Sequence, residues 1–301
     1  MDRELMMFYN VENFYPPDDP VSGLYKWDHY KYGLKVRKIK QVFRWIEEDF
    51  GQMPSVIGLG EIGAQSVLED LTAAESPLQD YQFLYEPSPD ARSLSVALLY
   101  DPSKMVLHRH ETLQFLSQDD SALKTRDVLH AEFTFYEQKI HILVVHLPSQ
   151  RDRDAKRPQR HHILKQLHQI VNKLLSEGGA VMLMGDFNDN PDAAVILDLS
   201  SAENLQKPMH NPFLELFSKQ KFSSYHGKKG MCFDQILFSS NGLGIRQQLQ
   251  SASGIIYRPP QLRAKDQKNS QYPFRTYSGS RYMGGYSDHF PVLLELRNSQ
   301  K

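Results

Sequence analysis

The sequence predicts an α/β protein in which mixed β-sheets are covered by helices. Three observations lead to this class: a strand–helix–strand–helix succession at the start, a run of closely spaced strands in the middle, and a return to a long helix followed by a buried strand. The chain has 301 residues, which is ample for a large core, and α/β folds of this length are often single domains. We therefore expect one domain over residues 1–301.

The first quarter of the chain alternates short apolar strands with helices. Residues 4–10 are largely apolar, which indicates a buried strand, whereas residues 11–30 contain three prolines and are predicted to form a loop. Residues 31–50 carry apolar side chains at helical spacing. A second strand at residues 56–59 and a second helix at residues 64–73 complete this part.

The middle of the chain consists of short apolar segments joined by turn residues, which is typical of antiparallel strands. These strands are predicted at residues 81–85, 96–100, 105–113, 128–135 and 140–146.

A long amphipathic helix at residues 157–177 then precedes a buried strand that starts at Val181. The last third is predicted to hold a long basic loop between its final two strands. Its regular elements are a short helix at residues 213–217 and strands at residues 235–238 and 291–296.

Composition excludes several classes of protein. The net charge of −1 and the pI of 6.9 give no overall field that attracts nucleic acid, so phosphate affinity has to come from local patches. Cys232 is the only cysteine, which excludes an intrachain disulfide or a cysteine metal cluster. No apolar run approaches about 18 residues, so no membrane span is expected. The compartment stays open between the cytoplasm and export with the targeting segment removed.

A glycine and two polar residues follow the apolar run at residues 181–184. Gly185 permits a sharp turn or a close approach, and Asp186 and Asn188 face the same way if the chain stays extended. A carboxylate beside a carboxamide suits a hard cation, a water or a phosphate oxygen, and strand ends are where open α/β sheets place ligands. An ordinary turn is the simpler interpretation, because Asp, Asn and the following Pro191 are common turn residues.

Polar side chains stand beside predicted strands at five places, and we expect them to converge on one site. They are Asn10, Glu61, His146, the pair Asp186 and Asn188, and the pair Asp288 and His289.

Six short motifs, each beside a predicted strand, carry a resemblance that covers residues 4–296. They are FYNVEN (8–13), GLGE (58–61), VHLPS (145–149), GDFN (185–188), FDQI (233–236) and YSDHFP (286–291). In this order they resemble the endonuclease/exonuclease/phosphatase superfamily, which includes pancreatic-type deoxyribonucleases, abasic-site endonucleases, sphingomyelinases and inositol-polyphosphate 5-phosphatases. The resemblance implies a four-layer α/β sandwich of two packed mixed β-sheets flanked by helices.

The resemblance also implies phosphoester hydrolysis that depends on one or two Mg²⁺ or Mn²⁺ ions. Glu61 matches the family's main metal-binding glutamate, and Asn10 and Asp288 match groups near that metal. Oxygen ligands of this kind are the ones that Mg²⁺ requires.

The catalytic roles follow from the same resemblance. His289 matches the catalytic histidine, and Asp234 matches the carboxylate that pairs with it. Asp186 and Asn188 match the pair that orients the attacking water and the scissile phosphate. His146 matches a second histidine near the phosphate in the deoxyribonuclease branch.

Cationic side chains are candidates for substrate binding. Arg126 matches a phosphate-contacting arginine of the family. Residues 151–160 and 258–286 are rich in cations, and the second stretch, which includes Arg275 and Arg281, interleaves them with aromatic residues, a combination suited to single-stranded bases and phosphates. The alternative for this stretch is a solvated loop without a ligand.

We expect a monomeric metal-dependent phosphodiesterase, most simply a nuclease with a nucleic-acid substrate. The first alternative is a phosphatase or phosphodiesterase acting on lipid or sugar phosphates, since it would use every one of these catalytic residues. A catalytically silent binding module is disfavoured because no motif residue is missing.

Overall fold

Two six-stranded mixed β-sheets form the centre of the protein, and helices lie on their outer faces. The structure is a computed structural model that describes residues 3–89, 92–117, 121–123, 128–200, 208–239, 249–266 and 270–298. The predicted four-layer α/β architecture is confirmed.

The first sheet is built around a parallel pair of strands. Strand β1 (Arg3–Phe14) runs parallel to β2 (Val56–Ile62), and helix α1 (His29–Phe50) crosses between them, as a parallel pairing requires. The outer strands are β3 (Gln82–Tyr85), β4 (Ser95–Tyr100), β13 (Leu249–Ile256) and β16 (Val292–Asn298). They pair antiparallel, in the sheet order β13-β16-β1-β2-β4-β3.

The second sheet repeats this plan. Strand β7 (Gln138–His146) runs parallel to β8 (Ala180–Asp186), and helix α4 (Arg157–Ser176) crosses between them. The outer strands are β5 (Met105–Leu113), β6 (Val128–Phe135), β9 (Met209–His210) and β12 (Asp234–Ser239). They are antiparallel to their neighbours, in the order β5-β6-β7-β8-β12-β9.

Short helices and two hairpins complete the fold. The helices are α2 (Gln65–Thr72), α3 (Arg151–Asp154), α5 (Ala194–Leu197) and α6 (Phe213–Ser218), of which α3 is an irregular turn with left-handed residues. The hairpins pair β10 (Ser224–His226) with β11 (Lys229–Met231) and β14 (Tyr277–Ser278) with β15 (Arg281–Tyr282). None of the helices in these described ranges is long and apolar enough to cross a membrane.

The inner faces of the two sheets pack tightly against each other. A Cβ added at Gly58 of β2 would lie 2.8 Å from the sulfur of Met184 and 3.0 Å from the ring of Phe8, so this position accommodates only glycine without movement. The outer faces are covered by apolar helix stripes, from Ile39 and Phe43 of α1 on the first sheet and from the buried face of α4 on the second. The sheets are therefore held rigidly relative to each other.

Three differences between the predicted elements and the structure bear on the site. β1 continues past residue 10 to Phe14 through left-handed residues Glu12 (φ 56°) and Asn13 (φ 45°). β2 continues past residue 59 to include Glu61. The prediction of one long basic loop before the final strand is wrong, since this part contains β13 and the β14–β15 hairpin; β13 is rich in small polar residues and is held by its pairing with β16.

Candidate active site

Residues from both sheets meet at one edge of the sandwich. The carboxyl ends of the parallel strands carry Asn10 and Glu61 in the first sheet and His146 and Asp186 in the second. Asp234 starts β12 directly opposite Asp186. Because the amino ends of antiparallel strands lie beside the carboxyl ends of their neighbours, the segment that precedes β16, with Asp288 and His289, reaches the same edge.

This edge forms a cleft of about 520 Å³. Seven of the residues predicted for the site line it: Glu61, His146, Asp186, Asn188, Arg275, Asp288 and His289. Asn10 and Asp234 lie behind this lining, bonded to Asp186 and His289. The cleft also has lining residues outside the predicted set of site residues, among them Arg92, Tyr225, Lys229 and Phe233.

His289 is held by a buried carboxylate. Its Nδ1–H donates to Asp234 Oδ2 at 2.7 Å, and Ser223 Oγ–H donates to the same oxygen at 2.6 Å. The other ring nitrogen, Nε2, lies 3.9 Å from Asp186 Oδ2 and from Asp288 Oδ1. Burial by itself lowers the pKa of His289, but the charge and hydrogen bond of Asp234, with the two other carboxylates, outweigh burial and raise this pKa well above its usual value.

The Asp186 carboxylate is oriented from several directions. Its Oδ2 accepts a hydrogen bond from Asn10 Nδ2 at 3.1 Å and lies 3.4 Å from His146 Nε2. Its Oδ1 accepts the backbone N–H of Asn188 at 2.9 Å. The side chain is almost completely buried, so these contacts define one orientation for the oxygen that is directed at the cleft.

Asn188 does not continue the extended backbone that would make it face the same way as Asp186. Its backbone is left-handed (φ 51°), and its Nδ2 donates to the Leu147 carbonyl at 2.9 Å. The segment is therefore a turn closed by the Asp186 side chain, as the simpler interpretation required. The turn nevertheless leaves both Asp186 and Asn188 on the wall of the cleft.

Glu61 has one carboxylate oxygen bound to the backbone and the other directed at the cleft. Its Oε2 accepts the backbone N–H of Asn13 at 2.6 Å, while Oε1 lies 3.9 Å from His146 Nε2 at the cleft. Its left-handed backbone (φ 67°) is unusual for a residue other than glycine, and such strain is often found at functional sites. Glu61, Asp186 and Asp288 together offer the carboxylate oxygens that a hard divalent cation prefers, so the residues present fit such an ion.

Asn10 and Asp288 are already engaged in other contacts. Asn10 uses its Oδ1 to accept the Glu12 backbone N–H at 3.0 Å and its Nδ2 to hold Asp186. Asp288 Oδ2 accepts a hydrogen bond from Arg275 Nη2 at 2.9 Å, and Oδ1 remains directed at His289. Their predicted role near a metal stays a prediction.

A second grouping of metal-ligand atoms is less suitable for a cation. Atoms of Asp186, Asp234 and His289 lie within 4.8 Å of one another. Asp234, however, is completely buried, and its Oδ2 already accepts hydrogen bonds from His289 and Ser223. The proximity of these atoms follows from the hydrogen-bonded pair.

The predicted substrate-binding arginines have three different outcomes. Arg275 lines the cleft, half exposed, with its guanidinium bound to Asp288 and 3.9 Å from Glu12 Oε1. Arg281 is exposed on the β14–β15 hairpin and does not line the cleft. Arg126 lies outside the residues that the structure describes.

The basic stretch at residues 151–160 contains one residue that cannot bind substrate as predicted. Arg160 is completely buried, and its guanidinium binds Asp189 Oδ2 at 2.7 Å and Asp154 Oδ1 at 2.9 Å. Its charge therefore serves to hold helix α4 to the turn that follows Asp186 and Asn188.

A buried hydrogen-bond network that was not predicted from the sequence anchors the segment carrying Arg275. Glu12 accepts the backbone N–H groups of Thr276 at 2.6 Å and Tyr277 at 3.0 Å. Lys35, on the buried face of α1, donates to Thr276 Oγ1 at 2.5 Å. Burial raises the pKa of Glu12 and lowers the pKa of Lys35. One indication of this network is present in the sequence: Lys35 falls on the apolar stripe of α1, four residues before Ile39.

The protein is therefore an α/β sandwich that carries carboxylates and histidines in a cleft at the edge where its two sheets meet. A family model described as the Endonuclease/Exonuclease/phosphatase family matches residues 5–298. The chain belongs to this family of phosphoester hydrolases, so the resemblance predicted from the six motifs is confirmed. A comparison with curated proteins finds no match.

Solved structures share the fold over nearly the whole chain. TDP2 of D. rerio, complexed with single strand DNA product, has 18% identity and a TM-score of 0.59, covering 98% of this chain and 99% of that chain. The human Nocturnin catalytic domain with bound sulfate anion has 15% identity and a TM-score of 0.59, covering 99% and 97%. Mannosyl-6-phosphatase of Bacteroides thetaiotaomicron has 14% identity and a TM-score of 0.59, covering 97% and 99%. At these identities the likeness establishes the fold alone.

Proposed function

We propose that this protein is a metal-dependent phosphodiesterase, specifically a nuclease, that hydrolyses its substrate by in-line attack of an activated water. One observation carries the proposal: His289, held by buried Asp234, directs its free nitrogen towards the Asp186 carboxylate in a cleft bordered by Glu61 and Asp288. Family membership and the order of the motifs support the same reaction class.

The catalytic groups divide the proton transfers between them. His289 Nε2 accepts the proton of the attacking water, while Asp234 sets the tautomer and stabilises the imidazolium. Asp186, fixed by Asn10, orients that water together with Asn188. His146 lies on the other side of Asp186 and protonates the leaving oxygen.

Glu61 and Asp288, with Asn10 nearby, would hold the divalent cation. When bound, Mg²⁺ or Mn²⁺ neutralises the non-bridging phosphate oxygens and the charge that develops during attack. Asp234, and after it Asp288 and Asp186, raise the pKa of His289, and a cation held at Asp288 would weaken the contribution of that carboxylate.

Local charge supports nucleic acid as the substrate class. Arg92, Lys229 and Arg275 line the cleft although the chain as a whole has a net charge of −1. One structure with this fold, TDP2 of D. rerio, is complexed with single strand DNA product. The second candidate, a phosphatase on sugar or lipid phosphates, is favoured by the mannosyl-6-phosphatase that shares the fold.

We further propose that the chain acts as a monomer and as one catalytic domain. The site draws on side chains from Asn10 to His289, so a division of the chain between these positions would separate its parts. All the proposed catalytic groups come from a single chain, and none needs a second copy.

A substrate panel tests the function. Single-stranded and duplex DNA, RNA, an aryl phosphodiester, sphingomyelin and sugar phosphates would be assayed with Mg²⁺, with Mn²⁺ and with EDTA. We expect cation-dependent cleavage of nucleic acid, lowered on the order of 10²-fold or more in His289→Ala and in Glu61→Gln. His108→Ala, an exposed histidine on β5, is the matched control and should behave as wild type. Cleavage restricted to sugar or lipid phosphates, or full activity of His289→Ala, would refute the proposal.

A further inference from the structure

A second cavity, of about 370 Å³, opens directly beside the catalytic cleft. The two cavities share Tyr225, Gly227, Arg275 and Asp288. We propose that this second cavity, the aromatic pocket, binds the nucleobase next to the scissile phosphate; the proposal rests on the nuclease function and names the part of the substrate that the enzyme recognises. Its walls are formed by Tyr225, Tyr272, Pro273, Phe274 and Met283.

The position of the aromatic pocket determines what can enter it. Asp288 and Arg275 belong to both cavities; Asp288 binds Arg275 at 2.9 Å, and its other oxygen lies 3.9 Å from His289 Nε2. Because the cavities share these walls, a ligand whose phosphate lies in the cleft can extend a neighbouring covalent unit into the pocket. In a nucleic acid, that unit is the sugar with its base.

The chemistry of the walls favours a flat aromatic ring. The rings of Tyr225 and Tyr272 lie 4.7 Å apart at 89°, and Phe274 adds a third ring. Met283 is 40% exposed although it is a large apolar side chain. Aromatic faces stack on any base without regard to its sequence, and methionine sulfur makes favourable contacts with rings.

The wall that carries Tyr272 and Phe274 is formed before any ligand binds. The Ala264 N–H donates to the Tyr272 carbonyl at 2.9 Å, and the Phe274 N–H donates to the Leu262 carbonyl at 2.8 Å. On the other side, the Tyr286 N–H donates to the Phe274 carbonyl at 2.6 Å. Because the backbone is fixed on both sides, a base that enters the pocket does not have to order this segment.

The polar groups of the pocket fit a base better than a hexose or an acyl chain. Ser278, Arg275 and Asp288 supply a few hydrogen-bonding groups at the rim, whereas the ring faces and apolar side chains that form most of the wall would leave many hydroxyls of a hexose without partners. An acyl chain would bury the charged side chains of the rim at a cost in free energy and would offer them no hydrogen bonds. Lys265 Nζ lies 5.6 Å from the centre of the Phe274 ring and provides a cation for the next phosphate of a strand.

Paired substrates and paired variants test the proposal. The substrates are the p-nitrophenyl esters of thymidine 3′- and 5′-phosphate and methyl p-nitrophenyl phosphate, which lacks a base. The variants are Tyr272→Leu, which removes the ring, and Tyr272→Phe, which keeps the ring and removes only the hydroxyl. We expect Tyr272→Leu to lower kcat/KM for at least one thymidine ester about tenfold, with the methyl ester unchanged, and Tyr272→Phe to keep the wild-type preference.

A binding measurement separates this proposal from the nuclease function. A single-stranded oligonucleotide containing 2-aminopurine should lose fluorescence on binding to wild type and to Tyr272→Phe, and Tyr272→Leu should bind about tenfold more weakly with less quenching. Equal losses for all three esters in Tyr272→Leu, or unchanged binding and quenching, would overturn the aromatic pocket. Absence of hydrolysis by wild type while these binding differences persist would overturn the nuclease function and leave the pocket supported.

Discussion

Replacing Asp234 with asparagine tests the histidine–carboxylate pair at the centre of the site. The substitution keeps the size of the side chain but removes the charge that faces His289 Nδ1 at 2.7 Å. Ser223 Oγ keeps an acceptor if the amide oxygen takes the place of Oδ2, so the packing around the pair is retained. A neutral amide cannot stabilise the imidazolium that forms when His289 accepts a proton.

The expected magnitude follows from the contacts of this pair. A hydrogen bond to a charged group contributes about 1.5–3 kcal/mol, so its loss together with the loss of the Asp234 charge should lower the pKa of His289. Because the folded-state pKa is raised, the pair stabilises the fold fully below the unfolded value of about 6.5 and loses this contribution as pH rises through the folded value. Asp234→Asn should therefore lower the free energy of unfolding by about 1.5–3 kcal/mol near pH 6 and by much less at a pH above the folded-state pKa of His289.

Two measurements check these expectations. In the pH dependence of kcat/KM for an aryl phosphodiester, the acidic limb should move to lower pH and the maximum should fall on the order of 10²- to 10⁴-fold. Urea unfolding in EDTA at both pH values gives the stability difference without a bound cation. Asp192→Asn, which removes an exposed charge, is the control. A variant that keeps the wild-type pH profile, or that is equally destabilised at both pH values, would refute the assignment of Asp234 to His289.

Three further predictions concern buried groups. Gly185→Ala should lower the free energy of unfolding by about 3 kcal/mol or more, because its Cβ would lie 2.0 Å from the Val145 carbonyl oxygen at φ 155°; wild-type stability in urea would contradict this. Lys35→Met should lower the free energy of unfolding by about 3–5 kcal/mol because it leaves the Glu12 carboxylate buried without its nearby cation. In a double-mutant cycle, adding Glu12→Gln should recover only the part of this loss that is due to charge, because glutamine has one acceptor oxygen for the two N–H groups of Thr276 and Tyr277. Burial lowers the pKa of His141 to about 4, so wild type should lose up to about 3 kcal/mol between about pH 6.5 and pH 4, and His141→Gln should lose measurably less in the same urea series.

The sequence was most informative where one local rule decides the structure. The apolar stripe at residues 31–50 indicated helix α1, which spans His29–Phe50, because a helix that covers a sheet has to bury one face. Polar residues beside predicted strands indicated the edge at which Glu61, Asp186 and His289 meet, because parallel strands end at one edge of a sheet. The apolar stripe and the polar residues beside strands are both visible in the sequence without knowledge of which strands pair.

Other features depend on contacts that no local pattern contains. The cations of residues 151–160 predict a substrate-binding stretch. Arg160 of this stretch is instead buried against Asp189, 29 residues away in the sequence. Glu12 lies within the first motif, but its partners Thr276 and Tyr277 are separated from it by 264 and 265 residues. The aromatic stretch at residues 258–286 indicated stacking in general, and only the tertiary structure separates exposed Arg281 from Arg275 on the wall of the cleft.

The contacts that define the site cross from one sheet to the other. Asn10 from the first sheet holds Asp186 of the second at 3.1 Å, and His289, which leads into the first sheet, binds Asp234 of the second at 2.7 Å. Glu61 of the first sheet lies 3.9 Å from His146 of the second. The His289–Asp234 pair and the support that Asn10 gives to Asp186 both require the two sheets, so this part of the site's geometry is set by how closely the sheets pack.

Close packing of the sheets therefore has a consequence for function. Gly58 lets β2 approach Met184 of β8, and Met184 is two residues before Asp186 on the same strand. A side chain larger than that of glycine at position 58 would push the two sheets apart beneath Glu61 and Asp186 without contacting either residue. Because buried Asp186 accepts the Asn10 hydrogen bond across the sheets, a small displacement there weakens a contact that orients this carboxylate, and the chemistry depends on the apolar core as well as on the residues that perform it.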